Sequence, residues 1–95
     1  MIVIIKSAPE TPEGKRGVKI ARDMSADIVF LQNGVYFLQG QCLAEIGFEK
    51  TVYALMDDIR LRGLKAENEK VAAKKIGYDG LIDLMASSDN VTGMF

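Results

Sequence analysis

One sulfur nucleophile, one pair of adjacent carboxylates, two glycine-bearing turns and no histidine are the chemistry these 95 residues offer. Cys42 is the only residue able to carry covalent sulfur or to act as a strong nucleophile. The absence of histidine removes Ser-His-Asp and Cys-His catalysis, most zinc chemistry and any imidazole switch near neutral pH. One cysteine and scattered carboxylates do not assemble a metal-ligand cluster, so neither a metal nor a cofactor is expected.

Each candidate has a chemical and a structural reading. Cys42 lies seven residues after Val35, almost on the same apolar stripe and more than a turn inside an expected helix. Reactive thiols favour exposed, electropositive positions, whereas free cysteine is among the most frequently buried residue types. Gly14-Lys15-Arg16-Gly17 invites comparison with a phosphate loop. It lacks a glycine five residues before Gly14 and has Arg16 where Ser or Thr would bind magnesium, so a plain turn is expected. Asp57 and Asp58 are adjacent, point in different directions on a helix, and suit the positive end of its dipole. Gln32-Asn33-Gly34 follows an apolar run; its amides could line a crevice, and Asn33 could cap the next helix.

Composition bounds the rest. The chain is 48% hydrophobic and 26% charged, ordinary globular content for one small domain over residues 1–95. Its net charge is −1 with both signs interleaved, which argues against gripping a nucleic-acid backbone or an anionic membrane as the main role. The apolar start, Met1-Ile2-Val3-Ile4-Ile5, is too short to span a bilayer and lacks the features of a signal peptide. A lone cysteine closes no intrachain disulfide, and a cytoplasmic location is expected.

The elements that must position these residues follow from periodicity. Residues 2–5, 27–31 and 51–55 are runs typical of strands covered on both faces. A helix is expected over about residues 15–24, after a loop with two prolines. Val35, Leu38, Cys42 and Ile46 recur at helical spacing, and Gly47 ends that helix. A short charged helix runs from Met56 to a stop at Gly63. Residues 72–76 suit a fourth strand whose lysines fit a sheet edge. Tyr78, Leu81, Ile82 and Met85 mark an amphipathic last helix, followed by a polar tail over residues 87–93 that ends in Met94-Phe95. Four strand-helix units imply an α/β fold, layered α/β/α, with a small, largely parallel sheet of about four strands and helical crossovers.

In such a fold the strand-to-helix turns at the carboxyl ends of strands are where sites are built. Two turns qualify. One is Gln32-Asn33-Gly34 with Tyr36. The other is Leu55-Met56 with Asp58, which holds no nucleophile, histidine or glycine loop. Phe95 would be exposed apolar surface on a monomer, which suggests docking on a partner subunit.

Leu31-Gln32-Asn33-Gly34-Val35-Tyr36, then Val52-Tyr53-Ala54-Leu55 with Asp58, then Arg62-Gly63-Leu64 and Tyr78-Asp79-Gly80-Leu81-Ile82-Asp83-Leu84 together resemble the DsrH/TusB sulfur-relay family. The resemblance runs from Asp27 onward; before it, only the first strand is similar. It implies a DsrE-like fold and a subunit that works in persulfide transfer, toward 2-thiouridine in tRNA or the oxidation of stored sulfur. It also implies hexamers of three related subunits, or homo-oligomers. In sulfur-carrying sister subunits of DsrE/TusD type the active cysteine ends the third strand, where Leu55 stands here. Some DsrH members carry a cysteine in the first helix, and this chain has none there.

The expected role is an accessory subunit without independent catalysis. It would contact DsrE/DsrF-like or TusC/TusD-like subunits, or copies of itself, through Gln32, Asn33, Gly34, Tyr36, Leu55, Met56, Asp58 and Phe95. The alternatives are a sulfur carrier using Cys42 as its persulfide site, and a homo-oligomeric ligand-binding module.

Overall fold

A computed structural model of the chain describes residues 1–88 and 91–95. β1 (Ile2–Ile5) is buried along its whole length. Alternation divides it between two cores, with Val3 and Ile5 in one and Ile2 and Ile4 in the other. β2 (Asp27–Phe30), β3 (Val52–Leu55), β4 (Lys74–Ile76) and β5 (Val91–Met94) complete a five-stranded parallel sheet in the order β4-β3-β2-β1-β5. From β1 to β4 the chain steps in one direction. Right-handed crossovers then place the three intervening helical segments on one face. The return to β5 sends the last helix across the other face. The two cores match this division: one holds Val18, Phe37, Leu43 and Ile59 against the sheet, the other Leu81 with Leu84 beside it. The layered α/β/α architecture is therefore as expected, with one strand more.

That strand, β5, occupies part of the segment read as a polar tail; Asp89 and Asn90 of that segment lie outside the described residues. Gly93 at φ +63 and a register irregularity opposite Val3/Ile4 explain why no alternating pattern announces it. Lys74 and Lys75 do lie on the opposite edge strand, with the Lys74 ammonium 5.8 Å from the Tyr53 ring centre.

α1 (Pro12–Met24) starts earlier than expected. The Thr11 hydroxyl accepts from the Gly14 N–H at 3.1 Å and Pro12 occupies the first turn, a standard helix start. Gly14-Lys15-Arg16-Gly17 is thus helical, neither a plain turn nor a phosphate loop. A Cβ on Gly14 would stand 2.4 Å from the Ala8 carbonyl oxygen, so the glycine lets α1 lie against the loop after β1. The helix ends with Ser25 in the left-handed region and the Ala26 N–H on the Ala21 carbonyl at 2.9 Å.

The helix expected across residues 35–46 is broken in two. Gln32–Gln39 forms a 3-10 helix, Gly40 is extended, and α2 spans only Cys42–Glu45. A three-residue repeat stacks i on i+3, and here it turns Gly34 with Phe37 and Val35 with Leu38 into the core. Phe37 stacks on Phe30 with ring centres 5.0 Å apart. Cys42 consequently opens a short helix instead of sitting deep in a long one. Gly47 at φ +70 does end this segment, with its N–H on the Ala44 carbonyl. α3 (Met56–Leu61) follows β3 directly, and α4 (Tyr78–Ser87) is, among the described residues, the single helix on the second face.

Candidate functional site

β2 leaves the sheet at Leu31, and the next residue takes a conformation that most side chains avoid. Gln32 has φ +49, which costs about 1 kcal/mol or more in a non-glycine residue. Its N–H is held by the Asp58 Oδ2, 2.7 Å away and 26 residues later in sequence. Asp58 lies in the first turn of α3 and is 9% exposed. One turn further on, Arg62 reaches back over it. Its Nη1 donates to the Asp58 Oδ1 and to the Asp58 carbonyl, both at 3.4 Å, and its Nε donates to the Asn33 Oδ1 at 3.0 Å. The turns after β2 and β3 are thereby tied by one carboxylate and one guanidinium. A bond between charged partners this well covered contributes more than an exposed pair.

Two sequence readings change here. Asn33 caps nothing: the residue before the 3-10 helix is Leu31, no side chain caps it, and the Asn33 amide serves Arg62 instead. Asp58 does more than complement a helix dipole, because its oxygens are committed to Gln32 and Arg62; Asp57 beside it is exposed. Arg62 itself escaped the reading of candidate residues, although its i, i+4 spacing from Asp58 was the signal that could have found it.

Gly34 is a packing device. A Cβ there would stand 2.2 Å from the Ile5 carbonyl oxygen, so only glycine lets the 3-10 helix rest on the end of β1. Beyond it lies an open groove of about 540 Å³, walled by Pro9 and Glu10 from the loop after β1 and by Asn33, Tyr36 and Gln39. Tyr36 is exposed there. Pro9, Glu10 and Gln39 are members that sequence reasoning missed.

The remaining candidates are elsewhere. Leu55 ends β3, is 2% exposed and packs with Ile4, Val29 and Leu81 in the α4-side core. It faces neither groove nor solvent, and Met56 next to it is half-buried. Phe95 turns onto its own domain: its N–H donates to the Ile4 carbonyl at 2.8 Å, its Cβ lies against α1 where Gly17 leaves room, and its side chain packs on the α1-side core. The exposed apolar residue of the C-terminal pair is Met94.

Cys42 stands apart from all of these, on the floor of a cleft of about 290 Å³ between α1 and α2. Burial, and secondarily the Glu45 carboxylate, push its thiol above the ordinary range, while the Lys15 ammonium opposes them in part. At neutral pH the group is therefore a thiol and a weak nucleophile. Among the described residues no three His, Cys, Asp or Glu side chains cluster so as to hold a metal ion.

One further surface stands out. Tyr78, Ile82 and Met85, at i, i+4 and i+7 on α4, are 56%, 63% and 38% exposed. The sequence reading grouped them with Leu81 as one apolar stripe, but only Leu81 is buried.

A family model described as DsrH like protein matches residues 7–91. The match takes in α1, beyond the region from Asp27 onward on which the resemblance was first based. No curated protein matches the chain.

Proposed function

The chain belongs to the DsrH-like family, which implies a sulfur-relay subunit in general terms, and from that premise we propose an accessory subunit that lends surface, not a thiol, to persulfide transfer. The observation that carries this reading is Leu55. In the sulfur-carrying sister subunits that the resemblance points to, a cysteine ends the third strand. Here that place holds an aliphatic side chain sealed in the core. The neighbouring turn is rigidly tied by Asp58 and Arg62 but offers no nucleophile.

The uncovered face of α4 is the surface we assign to subunit contact, alongside the groove at Asn33 and Tyr36. Large apolar side chains grouped on one helix face mark association surfaces. The partners would be DsrE/DsrF-like or TusC/TusD-like subunits, or further copies of this chain, in the cytoplasm. The assembly would serve tRNA thiolation or sulfur oxidation. The reading treats residues 1–95 as one domain. Among the described residues, no helix is long and apolar enough to cross a membrane.

The test is intact-mass measurement after incubation with a persulfide-donating protein. No stable gain of sulfur is expected. A gain on the wild type that disappears in Cys42→Ser would replace this reading with the alternative, Cys42 as carrier, in whose favour stands the Lys15 ammonium that partly offsets the upward shift of the thiol. For the contact surface, light scattering should give more than the monomer mass at micromolar concentration, and Ile82→Asp should reduce it. A monomer mass for the wild type, alone and with its sister subunits, would overturn the assembly.

A further inference from the structure

The cleft between α1 and α2 has a composition that subunit contact does not account for. Its floor is apolar, made by Val18 of α1 with Cys42 and Ile46. Its rim is cationic, made by Lys15, Lys19 and Arg22. These three follow one another at i, i+4 and i+7, so they stand along one side of α1 over about 10 Å.

The charges are not used up within the domain. Arg22 pairs with Asp23 at 3.0 Å, at an exposed site, while Lys15 and Lys19 make no ion pair among the described residues. Glu45 on α2 is the acid that bears on the thiol from the other wall, and Lys15 is the cation that bears on it from α1. The cations thus address the same space as the apolar floor, and they outnumber the acids facing it.

We propose that this cleft binds a small amphipathic anion: a compact aliphatic or aromatic body seated on Val18, Cys42 and Ile46, with a carboxylate or sulfonate held by the Lys15–Lys19–Arg22 rim. A volume of about 290 Å³ lies at the lower edge of the range for small-molecule sites. It suits a medium-length acyl chain or a single ring. The site lies away from the strand ends and does not depend on the relay reading.

Cys42 is the one cysteine of the chain and lies on the floor, so it reports on the site directly. The experiment follows its alkylation by iodoacetate, an anion, and by iodoacetamide, its neutral near-isostere. The ratio of the two rates cancels the intrinsic reactivity of the thiol. That ratio is expected to be at least about threefold higher in the wild type than in a Lys15→Gln/Lys19→Gln/Arg22→Gln variant, since exposed cations raise the local concentration of an anion. Circular dichroism checks that the variant, altered only at exposed positions, is folded. Decanoate should slow the iodoacetamide reaction of the wild type in a saturable way and leave the variant unprotected. Equal ratios would overturn the proposal. So would a raised ratio without decanoate protection, which would show a diffuse field with no seat for the body. Protection that survives in the variant would show an apolar groove indifferent to charge, and failure of both reagents to reach Cys42 would show a closed cleft; either overturns it.

Discussion

The carboxyl ends of β2 and β3 and the cleft between α1 and α2 are built to opposite plans. The first is organised and chemically mute. Gln32, Asn33, Asp58 and Arg62 lock two turns together, Gly34 seats the 3-10 helix on β1, and no side chain there is a nucleophile. The second has a thiol and three cations but little that fixes them: α2 is four residues long, and the cations are exposed. Position and reactivity have come apart. The turn where the fold places sites carries rigidity, and the one sulfur nucleophile sits where the fold supplies no rigid frame. A non-catalytic subunit would be built in this way if its strand ends serve as a shaped contact surface.

Breaking the rigid region should have the largest effects. Gly34→Ala would put a methyl group 2.2 Å from the Ile5 carbonyl oxygen, a backbone atom that cannot swing aside. The expected loss is about 3 kcal/mol, at the upper end for overpacking, read as a drop in the denaturant midpoint with little change in slope. A loss under about 1 kcal/mol would mean that the 3-10 helix floats on β1 and that the contrast with the α1/α2 cleft is overdrawn.

Asp58→Ala comes next. It removes the acceptor from the Gln32 N–H and leaves the Arg62 guanidinium with Asn33 and one carbonyl. Losing a charged acceptor at a covered site costs about 2 kcal/mol. Asp58→Asn keeps an oxygen for Gln32 and should cost less than half as much. Equal losses in the two variants would show that the Arg62 charge pairing, and not the grip on the strained Gln32, is what matters.

How much of this contrast the sequence disclosed depends on the kind of interaction. Strands β1 to β3 were plain because residues buried on both faces must be apolar throughout. The break between the 3-10 helix and α2 was hidden, since pairs at i, i+3 such as Gly34/Phe37 and Val35/Leu38 also satisfy an α-helical template. β5 was hidden by Gly93 and its irregular pairing. The Asp58–Gln32 bond ends on a backbone N–H, which no side-chain pattern encodes. The cationic rim beside Cys42 was hidden because it forms only where α2 folds against α1, a contact 20 or more residues away that the spacing of Lys15, Lys19 and Arg22 does not encode. Tyr78, Ile82 and Met85 were grouped correctly with Leu81 by period. Which part of a wide apolar arc finds a partner is decided by the tilt of the helix on the sheet, and sequence does not carry that.

Arming the rigid turn sharpens the comparison from the other side. Leu55→Cys in a Cys42→Ser background places a thiol where the sulfur-carrying relatives are inferred to have theirs. Because Leu55 faces the α4-side core, that thiol should be sealed. Its alkylation by iodoacetamide should run at least about tenfold slower than that of Cys42 in the wild type, a difference of about 1.4 kcal/mol in barrier. An introduced thiol that reacted as fast as Cys42, in a variant whose denaturant midpoint was unchanged, would show that the turn opens readily. The accessory role would then rest on one residue's identity and not on the architecture.

The smallest effect belongs to the loosely framed thiol. Burial holds the Cys42 proton more tightly in the folded chain than in the unfolded one, with Glu45 adding to the effect and Lys15 opposing it. A group whose folded value is raised contributes its stability fully below the unfolded thiol value. That contribution is lost as pH rises through the folded value, because the unfolded chain gives up the proton first. Wild-type stability should therefore fall more steeply than that of Cys42→Ser across the alkaline range where thiols ionise, and the two profiles should run parallel near neutrality. Denaturant midpoints taken at several pH values measure the difference. Lys15→Gln removes the opposing cation, so it should widen the gap. A gap left unchanged would place Lys15 away from the thiol and weaken the case that this rim and this floor form one cleft.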